Sequence, residues 1–166
     1  MTEYRRLLRL VPGLLALSLL AACGNGPADQ ADRAAQATAS RQPAELVVGD
    51  LRISASVAPT AALSPVIADR YGVTPDQHVQ LLLVGLRQGP AHDETPVQAQ
   101  VAVRVRDLRG VWQEVAMREV RSEGFIDYVG SVRVAPPDTL AFEVTVRRAG
   151  TEAPEILRFS RDVLPR

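Results

Sequence analysis

The residues of this chain that could do chemistry are few and widely spaced. His78 and His92 are its two histidines. A transition-metal site needs three or four ligands, and these two lack the short spacing by which one strand or helix presents a pair. Surface histidines and no metal are expected. Met117 is the one methionine besides Met1, so a site built from clustered Met and His has too few ligands. Serine hydrolysis calls for a nucleophile, a base and an orienting acid, and no Gly-x-Ser-x-Gly elbow occurs. Glu119, Glu123 and Asp127 lie near one another, and paired carboxylates would suit acid–base cleavage of a glycan. Beside a hairpin turn, such residues more often form a solvated face. No catalytic residue and no cofactor is assigned.

The single cysteine, Cys23, has a more specific context. Arg5, Arg6 and Arg9 precede an apolar stretch from Leu10 to Ala22, and Leu20-Ala21-Ala22 leads into Cys23. A basic start, a short apolar run and small residues form an export signal, and this run is too short to span a bilayer. Leu20-Ala21-Ala22-Cys23 resembles the lipobox of bacterial lipoproteins, which implies a cysteine acylated on sulfur that becomes the new N-terminus. Tyr4-Arg5-Arg6-Leu7-Leu8 is a poor fit to the twin-arginine route. Gly24 rather than aspartate follows the cysteine, which resembles lipoproteins sorted to the outer membrane. With Cys23 lipidated, the mature chain has no thiol for disulfides, nucleophilic attack or metal binding.

Recognition through charge and aromatic rings is the remaining chemistry. All 19 basic residues are arginine. Loss of residues 1–22 leaves 144 residues with 16 basic and 18 acidic side chains, so nucleic acid is not an expected partner. Arg104 and Arg106 fall on the outward side of one strand pattern, and Arg147 and Arg148 end another. They would form a basic patch for an acidic envelope component, or pair across strands with Glu143 or Glu114. With Tyr71, Tyr128 and Trp112, Arg104 and Arg106 make up the candidate partner-contact surface.

Three segments must carry these groups: a signal peptide over 1–22, a lipid-anchored flexible tether over 23–43, and a domain over 44–166. The tether is rich in Ala, Gln, Asp, Gly, Ser and Pro and has no large apolar residue. From Ala44 onward a period of two dominates, the mark of half-buried strands. It runs through Leu51–Val57, Val97–Val105 and Leu140–Val146, and again at Leu157 and Phe159. Val79–Val84 is almost continuously apolar, as in a strand covered on both faces. Further strands are predicted over 111–120 and 125–134. Arg109-Gly110, Glu123-Gly124, Pro136-Pro137-Asp138 and Ala149-Gly150 mark the turns. Ser64, Pro65 and Gly72 delimit one short helix, Pro65 to Tyr71, expected to lie over an open end of the sandwich. The expectation is a mainly β, immunoglobulin- or fibronectin-like antiparallel sandwich of about seven strands.

The same order is similar to a family of small bacterial exported proteins, the domain of unknown function family 4426. Its carriers are Gly49-Asp50, the segment Leu63-Ser64-Pro65-Val66-Ile67-Ala68-Asp69-Arg70-Tyr71-Gly72-Val73, and Asp107-Leu108-Arg109-Gly110. They continue with Arg118-Glu119-Val120-Arg121, Glu123-Gly124, Tyr128, Leu140-Ala141-Phe142 and Leu157-Arg158-Phe159. Asp107 stands where asparagine is expected, and Asp127 where an aromatic is usual. The resemblance implies a sandwich in the cell envelope and transfers no catalytic residue. The expected function is a non-enzymatic binding or accessory module, anchored to a membrane through Cys23 and facing the periplasm. Its partner would be an envelope protein or other envelope component. An enzyme acting on an envelope polymer through Asp and Glu, or a small-ligand carrier, are the alternatives.

Overall fold

The structure, a computed structural model, describes residues 42–90, 92–122 and 124–165. The expected signal peptide, Cys23 and all of the expected tether except Gln42 and Pro43 lie outside the described residues.

Strand β1 (Ala44–Val48) turns at Gly49 into β2 (Leu51–Pro59). A 3-10 turn (Thr60–Ala62) and helix α1 (Pro65–Arg70) lead to β3 (Val79–Gln88), and the two-residue β4 (Thr95–Pro96) precedes β5 (Gln100–Arg106). Then come β6 (Trp112–Val115), β7 (Arg118–Ser122), β8 (Phe125–Arg133), β9 (Asp138–Arg147) and β10 (Glu155–Val163). One sheet has the order β1-β2-β3-β8-β7 with β4 beside β3, and the other has β10-β9-β5-β6. Every pairing is antiparallel. Leaving out β1 and β4, the two sheets have the A-B-E-D and G-F-C-C′ order of immunoglobulin-like sandwiches.

The core lies between the sheets, where alternate residues of each strand meet. Ile53, Leu82, Val84 and Val105 join Phe142 and Val144 of β9, all essentially without solvent contact. Phe142 stacks on Phe159 at 5.0 Å between ring centres. Burial of this kind gives about 25 cal/mol per Å² of apolar surface, and it is the driving force available to a fold without disulfides.

Among the described residues ten strands are present where about seven are expected. The segment predicted as one strand over 111–120 is two, because the chain changes sheets at Ala116-Met117. Gly130 of β8 makes room for that crossing. A Cβ there would sit 2.6 Å from both Met117 Sδ and Val115 Cγ1.

Helix α1 begins as the sequence predicts, with Ser64 Oγ accepting from Ile67 N at 3.4 Å and Gly72 at φ 53° just beyond it. Its position is a correction. Tyr71, with Leu63, Ile67 and Val73, packs on Leu81 and Val129, and these point away from the core on the outer face of the larger sheet. The helix therefore covers a sheet face rather than an open end, and Val66 is exposed. This explains the unbroken apolar run of β3: Leu82 and Val84 face the core while Leu81 and Leu83 face the helix side. Buried Thr60 ties down the excursion, its Oγ1 accepting from Asp76 N and donating to Asp76 O, each at 3.0 Å.

Candidate functional site

The outward face of the four-stranded sheet gathers three of the five residues expected at a contact surface. Antiparallel register sets Glu114, Arg104, Glu143 and Arg158 side by side across β6, β5, β9 and β10. The next row is Trp112, Arg106, Ala141 and Ser160. Arg104 binds Glu143 Oε1 at 2.7 Å and Arg158 binds Glu143 Oε2 at 2.7 Å, so one carboxylate serves two guanidinium groups. The hydrogen bond from Arg158, followed by that from Arg104, holds the Glu143 carboxyl below its usual pKa.

Trp112 stands on the edge strand and is 43% exposed. The Arg104 and Arg106 guanidinium carbons lie 4.5 and 5.2 Å from its ring centre, within cation–π range. Among the described residues Arg106 has no carboxylate partner, unlike Arg104. A shallow groove of about 390 Å³ runs beside it, lined by Arg106, Trp112, Glu143, Arg158 and Ser160 among others. Chemically this arrangement suits recognition: a cation without a carboxylate partner, an exposed indole and a groove of mixed polar and apolar lining. Sequence reasoning placed Arg104 and Arg106 on one face but overlooked Arg158. Its alternation with Leu157 and Phe159 was the available signal.

The β5–β6 hairpin closes this face at one end of the sandwich. Asp107 is buried; its Oδ1 accepts from Val111 N at 3.0 Å and its Oδ2 from Arg109 Nε and NH2 at 3.0 and 2.8 Å. The bonds from Arg109, then the one from Val111, keep the Asp107 carboxyl below the usual range. Asp107 thus splits its two oxygens between turn backbone and Arg109, which accounts for the Asp107–Gly110 signature. Leu108 N donates to Asp138 Oδ1 at 3.0 Å, fastening the hairpin to the start of β9. A second shallow depression of about 300 Å³ lies here, bordered by Asp107, Arg109, Arg133 and Asp138.

The other candidate residues are placed elsewhere. Tyr128 points into the core at 4% exposure, so its surface is not on offer to a partner. Its hydroxyl accepts from Ala99 N at 2.8 Å and donates to Glu119 Oε2 at 3.2 Å. Tyr71 lies on the helix side of the larger sheet, away from Trp112, and its hydroxyl donates to Asp127 Oδ2 at 3.0 Å. Burial first, and the nearby Asp127 charge second, push the Tyr71 phenol up; burial is also the main cause for Tyr128. Glu119 and Asp127 occupy opposite faces of their sheet, since Glu119 pairs with Tyr128 and Val120 with Asp127. The carboxylate pairing considered from sequence is therefore not formed by these two; Glu123 lies outside the described residues. Arg148 pairs with Glu155 at 2.8 Å within the β9–β10 hairpin rather than joining the patch. Among the described residues no three His, Cys, Asp or Glu side chains cluster as metal ligands. Nor is any described helix long and apolar enough to cross a membrane.

Comparison with known proteins agrees with this architecture. The family model described as "Domain of unknown function (DUF4426)" matches residues 45–165. A crystal structure of a DUF4426 family protein from Pseudomonas aeruginosa PAO1 superposes with a TM-score of 0.64 at 23% identity, covering 75% of this chain and 96% of that one. A copper-bound variant of FetP from uropathogenic Escherichia coli strain F11 superposes at 0.53 with 10% identity, covering 75% of this chain and 98% of its own. At such identities both likenesses concern the fold. No curated protein matches.

Proposed function

We propose, from the premise that this chain belongs to the domain-of-unknown-function family DUF4426, that it is a non-catalytic envelope module. In this reading Cys23 carries the lipid that holds it at a membrane, the outer one in a two-membrane cell, with the domain facing the periplasm. The outward face of the four-stranded sheet engages an envelope protein or other envelope component of acidic character. The observation that carries the reading is Arg106. It is a cation without a carboxylate partner among the described residues, on a face where Arg104 and Arg158 already share Glu143. Beside it are an exposed indole and a shallow groove rather than a closed cavity. Such charged, aromatic-edged surfaces suit steered association with a complementary partner.

The test is in-cell photo-crosslinking from Ala141 and Thr145 on this face, with Ser56 of β2 on the opposite sheet as the control position. The expected result is one adduct formed from the first two positions and lost on Arg106→Glu. Adducts insensitive to Arg106→Glu, or turnover of envelope polymer by purified protein, would overturn the reading. A Cys23→Ala chain is expected in the soluble periplasmic fraction, and its retention in membranes would remove the anchor.

A further inference from the structure

We infer that the end of the sandwich formed by the β5–β6 hairpin and the end of β10 is a bilayer-contacting foot, with Leu108, Val111, Trp112 and Leu164 reaching the lipid interface. The inference rests on the anchored reading above, and it adds how the domain stands on the membrane.

Two features coincide at this end. The first is apolar exposure. Leu108 and Leu164 are 70% and 69% exposed, and Val111 and Trp112 are 52% and 43% exposed. They form one rim. Leu108 N is bonded to Asp138, Asp138 pairs with Val163, and Leu164 follows directly. Val111 and Trp112 lie on the same hairpin as Leu108. Leucine at a tip with tryptophan and arginine just behind it is the layering of an interfacial element. Apolar groups enter the acyl boundary and the indole takes the headgroup level, which leaves Arg106 and the groove beside it to the acidic partner.

The second is where the chain arrives from Cys23. Arg161 NH2 donates to Gln42 O at 2.6 Å, so the entry to the domain is held against the far end of β10. Arg161 pairs with Leu140 and Arg106 with Ala141, so the β10 residue that holds Gln42 lies near the level of the hairpin's closing residues. From Gln42, β1 runs away from this end toward its turn at Gly49. The tether to Cys23 therefore leaves the domain on the side of the apolar rim, which keeps that end within its reach of the bilayer. The row of Arg104, Glu143 and Arg158 then rises from the membrane with its face toward the periplasm. Acyl chains supply the holding strength; the rim supplies orientation.

Trp112 is the only tryptophan in the chain, so it reports directly. Acylated full-chain protein, purified from bacterial membranes, would be reconstituted into phosphatidylethanolamine–phosphatidylglycerol vesicles with brominated or plain acyl chains. Flotation reads the anchor; Trp112 emission reads the foot. The expected result is flotation with a blue-shifted Trp112 that is quenched by bromine and shielded from acrylamide. Leu108→Ser with Leu164→Ser, both at exposed positions, is expected to reduce bromine quenching about twofold or more while flotation persists. Protein that floats with Trp112 unquenched and open to acrylamide would overturn the foot and leave the anchor standing. Failure of the acylated fraction to float would overturn both.

Discussion

The Tyr71 hydroxyl donates to Asp127 Oδ2 at 3.0 Å across 56 positions of sequence, joining the C-cap of α1 to a central strand of the larger sheet. Gly85, the residue paired with Asp127, keeps the sheet surface low beneath this contact; its nearest side-chain neighbour would be Ser54 Oγ. Tyr71→Phe keeps the packing on Leu81 and Val129 and removes the bond. The expected loss is about 1.5–3 kcal/mol, typical of a hydrogen bond to a charged acceptor. Urea unfolding would measure it, and an unchanged midpoint would mean that the phenol is satisfied by solvent.

The alkaline limb of stability follows from the two tyrosines. Burial raises both phenols in the folded state, so the unfolded chain ionises first. Their contribution is complete below the ordinary phenol pKa of about 10 and is lost as pH climbs through the raised folded values. Tyr71→Phe is expected to flatten part of this decline. Thermal midpoints between neutral and strongly alkaline pH would show whether it does.

At the acid end the sign reverses. Asp76, Asp107 and Glu143 all sit below the usual carboxylate range: Asp76 chiefly through the His78 amide, Asp107 through Arg109, and Glu143 through Arg158. Stability from each is present above the ordinary pKa of about 4 and disappears as pH falls through the lowered values. Asp107→Asn keeps an acceptor for Val111 N but gives up the ion pair with Arg109. That variant is expected to unfold with a shallower acid dependence and to retain the hairpin, checked by thermal melts below neutral pH.

Two glycines of the larger sheet separate close packing from mere proximity. Gly130→Ala drives a Cβ to 2.6 Å from Met117 Sδ and Val115 Cγ1, which should cost about 1–3 kcal/mol as overpacking. Gly85→Ala meets Ser54 Oγ at 3.2 Å, a hydroxyl able to rotate away, and should cost less. Adding Met117→Ala to Gly130→Ala is expected to recover part of the loss. Equal effects from both glycines in urea titrations would contradict this reading of the sheet crossing.

Alternation made β5 and β9 legible in the sequence because each has one dry and one wet face. The helix was legible through its cap, Ser64, and its stop, Gly72. Its docking surface was not, since Leu81 and Leu83 look the same in a run whether a second sheet or a helix covers them. The break between β6 and β7 left no turn residue at Ala116-Met117. The space for it comes from Gly130, distant in sequence and visible only once β8 lies against the crossing. Nothing in the sequence separates Tyr128 from Trp112 as a core ring or a contact ring; register places one inside the core and the other on an edge. For the same reason the face could be half assembled: Arg104 and Arg106 share a strand, whereas their relation to Arg158 needs β9 between them.

Glu143 supplies the last prediction, because among the described residues it is the one carboxylate bridging two guanidinium groups on the outward face. Its side chain is 13% exposed, while those of Arg104 and Arg158 are 51% and 65% exposed. Glu143→Gln leaves Arg104, Arg106 and Arg158 as like charges on neighbouring rows of the same face. Repulsion among exposed charges is screened over about 10 Å at 0.1 M salt. The variant is therefore expected to melt lower than the parent in dilute buffer and to regain stability as sodium chloride rises. The parent, with Arg104 and Arg158 already paired to Glu143, should respond less. Parallel salt dependences for the two proteins would show that Glu143 does not hold the arginines together in solution. A steeper dependence in the variant, alongside tighter retention on an anionic resin, would identify Glu143 as the residue that keeps the face near neutrality until a partner arrives.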